Sequence, residues 1–300
     1  MRLSLWLLVC AMGAGSAGAQ QIAFTFDDLP SHGPLPLGVT RLEIADSILA
    51  TLKKDKMPPT YGFVNGALVE KEPGTEAVLK AWRDAGQPLG SHSWSHPNLE
   101  AITAAEFEAD IAQDEPMLKT LMPGQDWHWF RYPYLHEGET VEKRREVRAW
   151  LFAHDYKIAQ VTMSFGDYLW NEPYARCMVK HDDAAIARLH DSYLAAADQS
   201  LGKYRAMSKA VYGRDIPYVL LMHIGAFDAR MLPELLALYR TRRVSFVSLP
   251  EAEKDPAYKD DPDIGMKGGG ALLEQMMVKK KLPFPANSSS FGKELDAMCR

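Results

Sequence analysis

Two adjacent carboxylates close the first apolar stretch of the sequence. Asp27 and Asp28 follow residues 22–26, whose β-branched and aromatic side chains are typical of a buried strand, and Pro30 ends the stretch. Side chains of successive strand residues diverge, so one carboxylate can bind a metal while its neighbour accepts a proton. On this stretch alone, an ordinary β-turn, in which Asp is common, is the favoured interpretation of the pair.

Two histidines four residues apart form the second candidate cluster. His92 and His96 lie in the segment Ser-His-Ser-Trp-Ser-His-Pro at 91–97. On a helical turn, this spacing places two imidazoles on one face, where they can bind one divalent cation. Alone, the pair could also be capping or core histidines. Together with Asp28 it predicts a three-ligand site that leaves positions open for water and substrate, as a catalytic site requires.

The periodicity of the chain alternates between strand and helix. Possible capping boxes, Thr40 with Glu43 and Thr103 with Glu106, begin two of the predicted helices, and Pro233 is predicted to begin another. Strands are predicted at 22–26, 61–64, 88–91, 127–131, 158–165, 218–222 and 244–249. Alternating units indicate a parallel sheet, and about seven of them favour a closed or nearly closed α/β barrel.

Polar residues follow several of these predicted strands. In an α/β barrel the carboxyl ends of the strands gather at one rim, so we expect the chemistry there. The residues concerned are Asp27, Asp28, His92, His96, Arg131, Tyr134 and His223. The other histidines are interpreted as structural or solvent-facing: His32, His128, His136, His154, His181 and His190.

Four motifs in this order resemble those of a known family. They are Thr-Phe-Asp-Asp-Leu-Pro at 25–30, Ser-His-Ser-Trp-Ser-His-Pro at 91–97, Arg-Tyr-Pro-Tyr at 131–134 and Leu-Leu-Met-His at 220–223. In order and spacing they resemble the polysaccharide deacetylases of carbohydrate esterase family 4, over roughly residues 20–250. The resemblance implies a distorted (β/α) barrel that removes N- or O-acetyl groups from glycans with one divalent metal.

The resemblance also implies a role for each matching residue. Mixed nitrogen and oxygen ligation with an open position suits Zn²⁺, with Co²⁺ as the alternative. The implied roles are general base for Asp27, metal ligands for Asp28, His92 and His96, orientation of the base for Arg131, an oxyanion contact from the backbone N–H of Tyr134, and general acid for His223.

The sequence departs from the family pattern in places that bear on the substrate. Leu29 stands where Gly is usual and is expected to narrow the site, and Asp167–Trp170 matches the fourth family motif only loosely, which leaves the role of Asp167 open. The segment 171–216 is longer than expected. An acetylated glycan of chitin or peptidoglycan type is the predicted substrate. Acetylated xylan, a non-sugar amide, and a glycan-binding protein without catalysis are the alternatives.

Composition limits the partners and the organisation of the chain. With 300 residues, 47% of them hydrophobic, and a net charge of −5, the chain is ordinary for one large globular domain. The acidic balance argues against binding to nucleic acid or anionic membranes. We expect a catalytic domain at 20–250 and a C-terminal tail at 251–300 that packs on the barrel. Oligomeric state is left open.

Residues 1–19 have the features of a secretory signal peptide. Arg2 precedes an apolar run at 3–12 that is too short to span a bilayer, and Ala-Gly-Ala at 17–19 is typical of a cleavage site. We expect the mature chain to begin near Gln20 and to be periplasmic or extracellular. A lipidated Cys10 and a cytoplasmic N-terminal helix or strand are the alternatives. In an oxidising compartment, Cys177 and Cys299 could pair or remain free thiols.

Overall fold

The computed structural model describes residues 20–286 and 291–300, so the expected signal peptide lies outside the described residues. Seven strands alternate with helices along the chain, as the sequence predicts. The strands are β1 (Gln20–Leu29), β2 (Tyr61–Val64), β3 (Leu89–Ser91), β4 (Trp129–Phe130), β5 (Lys157–Ile158), β6 (Tyr218–His223) and β7 (Val244–Phe246).

The sheet is parallel throughout its described pairings. Its order is β5-β4-β3-β2-β1-β6, with β7 paired to the start of β1. Beyond β5, Met163 makes a single parallel bridge to Leu220 of β6, which brings the two ends of the sheet together. The prediction of a distorted barrel with about seven parallel strands is confirmed.

Eleven α-helices occur in the described ranges of the chain. Both predicted capping boxes are present, at Thr40 with Glu43 and at Thr103 with Glu106. No described helix combines the length and the hydrophobicity that a bilayer span requires. The helices are α1 (Arg41–Lys54), α2 (Gly66–Lys71), α3 (Glu76–Asp84), α4 (Ala104–Leu121), α5 (Val141–Ala153), α6 (Asn171–Lys180), α7 (Asp183–Tyr212), α8 (Ala226–Thr241), α9 (Leu249–Ala252), α10 (Leu272–Lys279) and α11 (Gly292–Ala297).

Several predicted boundaries are wrong. Strands four and five are only two residues long, because the chain after Ile158 turns back toward β6. Pro233 lies inside α8 rather than at its start, which is at Ala226. A proline removes one backbone hydrogen bond from a helix. The nearby side chains Leu232 and Leu235 are completely buried, and burial of apolar surface favours the helix in this place.

The first strand organises the core because it is buried on both faces. Phe24 and Phe26 point toward the helices, where Phe26 packs edge-on against Trp82 of α3 at 5.7 Å between ring centroids. Ala23 points to the barrel interior, into a small apolar cluster that includes Phe63 of β2. Alternation along β1 therefore directs residues 23, 25 and 27 inward.

The C-terminal residues are tied to the barrel by covalent and polar contacts. Cys177 of α6 and Cys299 form a disulfide, which decides between the two alternatives left by the sequence. Beside it, the Arg176 guanidinium donates to the carbonyl of Met298 at 2.9 Å. Within this tail, Leu272–Lys279 form α10, and its apolar face, with Met277 fully buried, lies against α7.

Candidate active site

Both carboxylates at the end of β1 face one cavity of about 580 Å³. Asp27 continues the inward-facing row of the strand. Asp28 has φ of +64°, and the pairing register of β1 with β2 shifts between Phe26 and Leu29. This bulge interrupts the alternation that would otherwise direct Asp28 to the opposite face. The side chains of Asp27 and Asp28 therefore point into the same cavity and do not diverge as the sequence predicts.

Arg131 holds the Asp27 carboxylate in one orientation. Its Nη1 lies 3.1 and 3.2 Å from the two carboxylate oxygens of Asp27. The guanidinium also donates to the carbonyl of Ala159 at 2.7 Å and to Thr25 Oγ1 at 3.1 Å, and it stacks 4.6 Å from the Phe63 ring. Burial raises the pKa of Asp27, and the positive charge of Arg131 opposes that shift.

Asp28, His92 and His96 fit a single divalent cation. One oxygen of Asp28, Oδ1, lies 3.5 Å from Nε2 of His92 and 3.5 Å from Nε2 of His96. Two ligands at usual zinc distances in a tetrahedral arrangement are about 3.3–3.6 Å apart. The spacing of these ligand atoms therefore matches the edge of a zinc site. Together the three residues form a group able to hold a metal.

The two imidazoles are in the state that metal binding needs. Nδ1 of His92 lies 2.7 Å from the carbonyl oxygen of Arg131 and donates its proton there, which leaves the lone pair of Nε2 facing Asp28. Burial lowers the pKa of His92 to about 4, and burial together with His92 lowers that of His96 to about 4. Both rings are therefore neutral at pH 7.

A loop brings the two histidines together, and the predicted helical turn is wrong. Ser93 and His96 have φ of +65° and +56°, which no α-helical turn contains. The side chain of Asn65 donates to the carbonyls of His92 and Ser93 at 2.7 and 3.0 Å, and Asp110 accepts from the backbone N–H of Ser95 at 3.0 Å. These polar contacts shape the loop instead of helical hydrogen bonds.

His223 at the end of β6 is the register partner of Asp27 on the adjacent strand. The buried Asp167 carboxylate accepts from Nδ1 of His223 at 3.0 Å and from its backbone N–H at 2.6 Å. Burial opposes the charged ring, but Asp167 raises the pKa of His223 to about 10. Nε2 of His223 therefore faces the cavity, 4.0 Å from Oδ2 of Asp28. Asp167, whose role the sequence left open, orients this imidazole.

The interpretation of His32 as structural or solvent-facing is wrong, whereas that of His136 is not contradicted. Both line the cavity, and Nδ1 of His32 lies 2.7 Å from Oδ2 of Asp28. The ring of His32 also packs against His223, with 4.5 Å between centroids. His136 is bonded instead to Asn98 at 2.8 Å. The spacing of four residues between Asp28 and His32 was the signal available in the sequence.

Tyr134 and Leu29 occupy different positions relative to the cavity. Tyr134 is 56% exposed, and its ring lies 4.4 Å from that of His96. The oxyanion role of its backbone N–H stays a prediction. Leu29 is fully buried in the core and does not line the cavity, so the expectation that it narrows the site is wrong. After the bulge at Asp28, the Leu29 side chain points toward the helices and joins the core that contains Phe26 and Trp82. Tyr168 occupies the cavity wall near His223.

Comparison with known proteins agrees with this geometry. Residues 14–149 match the model of a family described as polysaccharide deacetylase. A peptidoglycan-N-acetylglucosamine deacetylase of Bacillus cereus is 28% identical over 52% of this chain and 49% of its own length. A chitooligosaccharide deacetylase of Sinorhizobium fredii is 24% identical over 72% of this chain and 92% of its own length. The chain spans about half the length, or less, of the curated relatives that it matches first.

Solved structures share the fold at low sequence identity. The chitin deacetylase of Colletotrichum lindemuthianum superposes with a TM-score of 0.54 at 20% identity, over 77% of this chain and 86% of that one. A carbohydrate esterase family 4 pseudoenzyme from Bacillus anthracis gives 0.53 at 17% identity, over 79% and 66%. These neighbours share the distorted barrel. The resemblance of the chain to the polysaccharide deacetylases of carbohydrate esterase family 4 is confirmed.

Proposed function

We propose that this protein is a metal-dependent hydrolase that removes acetyl groups from a glycan of chitin or peptidoglycan type. The observation that carries the proposal is the convergence in one cavity of a carboxylate held by arginine, a three-ligand set and an imidazole held by a second carboxylate. The deacetylase names of the relatives support the same reaction. Each group has a distinct task in the hydrolysis of an acetyl amide or ester.

Asp28, His92 and His96 would hold the cation, Zn²⁺ in preference to Co²⁺. When bound, a divalent cation supplies Lewis-acid chemistry that activates water and polarises the acetyl carbonyl. Asp27, directed by Arg131, accepts the proton of the attacking water. Nδ1 of His223 is hydrogen-bonded to Asp167. Nε2 of His223 can therefore donate the proton that the leaving nitrogen or oxygen requires.

A second cavity supports an oligomeric substrate. It measures about 450 Å³ and shares the residues Tyr134, Leu135, Ser164 and Gly268 with the first cavity. Its far wall is formed by α7 and by residues 268–274 of the C-terminal tail. Two adjoining spaces of this size can accommodate more than one sugar unit. The substrate proposed is therefore a polymer or oligomer rather than a single acetylated sugar.

Release of acetate from N-acetylglucosamine oligomers tests the proposal. The metal-loaded protein should release acetate from these oligomers, and the Asp27→Asn variant should do so at least about 10²-fold more slowly. Acetylated xylan and small non-sugar amides should be assayed in parallel, because the same residues could hydrolyse either. Faster hydrolysis of xylan acetate or of a small amide would move the assignment to that substrate. If the protein binds metal but hydrolyses none of these substrates, it would be a glycan-binding protein without catalysis.

We also propose that the protein acts outside the cytoplasm. The signal-peptide features of residues 1–19 motivate this proposal, and the disulfide between Cys177 and Cys299 supports it because disulfides persist in oxidising compartments. Amino-terminal sequencing of the protein from its native host should find a chain that begins at or near Gln20. An unprocessed cytoplasmic form as the main species would refute export.

A further inference from the structure

The two oxygens of the Asp28 carboxylate face different partners. Oδ1 faces the imidazoles of His92 and His96, while Oδ2 lies 2.7 Å from Nδ1 of His32. An ionised carboxylate only accepts hydrogen bonds, so His32 must be the donor. A separation of 2.7 Å is typical of a charge-assisted hydrogen bond and is shorter than the distance of about 3.3–3.6 Å between two ligands of one tetrahedral ion.

The position of His32 is determined by several contacts. The carbonyls of His32 and Gly33 accept from Nη1 of Arg41 at 3.1 and 2.8 Å. Arg41 is held in turn by the Glu72 carboxylate, whose oxygens lie 3.1 and 3.2 Å from its Nε. On its other side, the imidazole of His32 packs against that of His223. The loop after β1 therefore presents this ring to Asp28 in a fixed place.

We propose that His32 is a positioning residue that orients the Asp28 carboxylate for metal binding, an inference that rests on the proposed metal-dependent function. Asp28 lies on a bulge with a left-handed backbone, where the regular strand no longer sets the direction of its side chain. The hydrogen bond to Oδ2 stops rotation of the carboxylate and keeps Oδ1 toward the two histidines. Partners of this kind, outside the ligand set, typically strengthen metal binding by about 10–100-fold.

Metal affinity of matched variants tests this role. His32→Phe keeps a ring but removes the donor, and His32→Asn places an amide N–H where Nδ1 was. His136→Phe is the control, because His136 lines the same cavity but bonds to Asn98. Zn²⁺ affinity would be measured by chelator competition, with the visible spectrum of the Co²⁺-loaded protein as a second readout. We expect His32→Phe to weaken Zn²⁺ binding by about 10–100-fold, while His32→Asn and His136→Phe stay close to the unaltered protein.

Three results would overturn the inference. Unchanged affinity in His32→Phe would remove any role, and an equal loss in His136→Phe would reduce the effect to a general property of the cavity. Binding of two metal equivalents, with one lost in His32→Phe, would make His32 a ligand of a second ion. Failure of the proposed function is distinct from these: the unaltered protein would then bind no Zn²⁺, or His92→Ala would bind it equally well.

Discussion

The two halves of the chain contribute different parts of the site. Up to residue 149, where the family match ends, the end of β1 and the segments after β3 and β4 contribute the proposed base, the proposed metal ligands and the arginine that holds Asp27. Beyond that point the chain contributes His223, Asp167 and the helix that lines the second cavity. In the proposed reaction, the first half would activate water. The second half would protonate the leaving group and contact the rest of the substrate.

Loss of a proposed metal ligand should have the largest effect on both metal binding and acetate release. We expect His92→Ala to abolish both metal binding and acetate release, because only one carboxylate and one imidazole remain to bind the metal. Elemental analysis and the oligomer assay measure the two properties together. A far-ultraviolet circular dichroism spectrum like that of the unaltered protein controls for folding. Full metal occupancy in this variant would show that the ligand set is wrong.

Replacement of the base should separate chemistry from metal binding within the first half. In Asp27→Asn, the amide cannot accept the water proton, so we expect kcat to fall by about 10²–10⁴-fold. The three ligands are unchanged, so the metal content should stay near one per chain. Elemental analysis and steady-state kinetics on the same preparation check both expectations. Substantial turnover would transfer the role of base to another group.

The second half should matter most when the leaving group is poor. We expect His223→Ala to reduce kcat/KM on N-acetylated sugars much more than on an activated acetyl ester, whose leaving group needs little protonation. Asp167→Asn should change the same ratio in the same direction, because the orienting contact to Nδ1 is weakened. Equal losses on both substrate types would mean that His223 only shapes the site.

The disulfide allows the second half to be weakened without touching the first. Cys177 and Cys299 are separated by 122 positions, and a crosslink over a loop of this size typically stabilises a protein by about 2–4 kcal/mol. We expect the double variant Cys177→Ala, Cys299→Ala to lose about that much free energy of unfolding in urea. Its Zn²⁺ affinity should stay unchanged. A large loss of affinity would show that the tail supports the metal site.

The last prediction concerns pH and the loop of the two histidines. The buried Asp114 carboxyl contacts Ser91 Oγ at 2.9 Å and the backbone N–H of Gly66 at 3.2 Å, and burial raises its pKa to about 8. The folded state therefore binds this proton more tightly than the unfolded state, and stability falls as the pH rises from about 4 to about 8. Urea unfolding of Asp114→Asn at several pH values should show a weaker decline. An identical pH dependence would exclude Asp114 as its cause.

The sequence by itself was sufficient for features that depend on neighbours along the chain. The capping boxes, the alternation of strands and helices, and the position of Asp28, His92 and His96 on one rim all follow from local patterns. Parallel strands align their carboxyl ends, so residues that follow different strands meet without any knowledge of the loops between them.

Only the tertiary structure decided how those residues are oriented and held. Left-handed backbone at Asp28 and His96 directs their side chains, and apolar periodicity carries no information about such single dihedral angles. The contact between Asp167 and His223 joins positions 56 residues apart, and it forms because the chain after β5 returns to β6. Such contacts depend on the path of the whole chain, which local patterns do not encode.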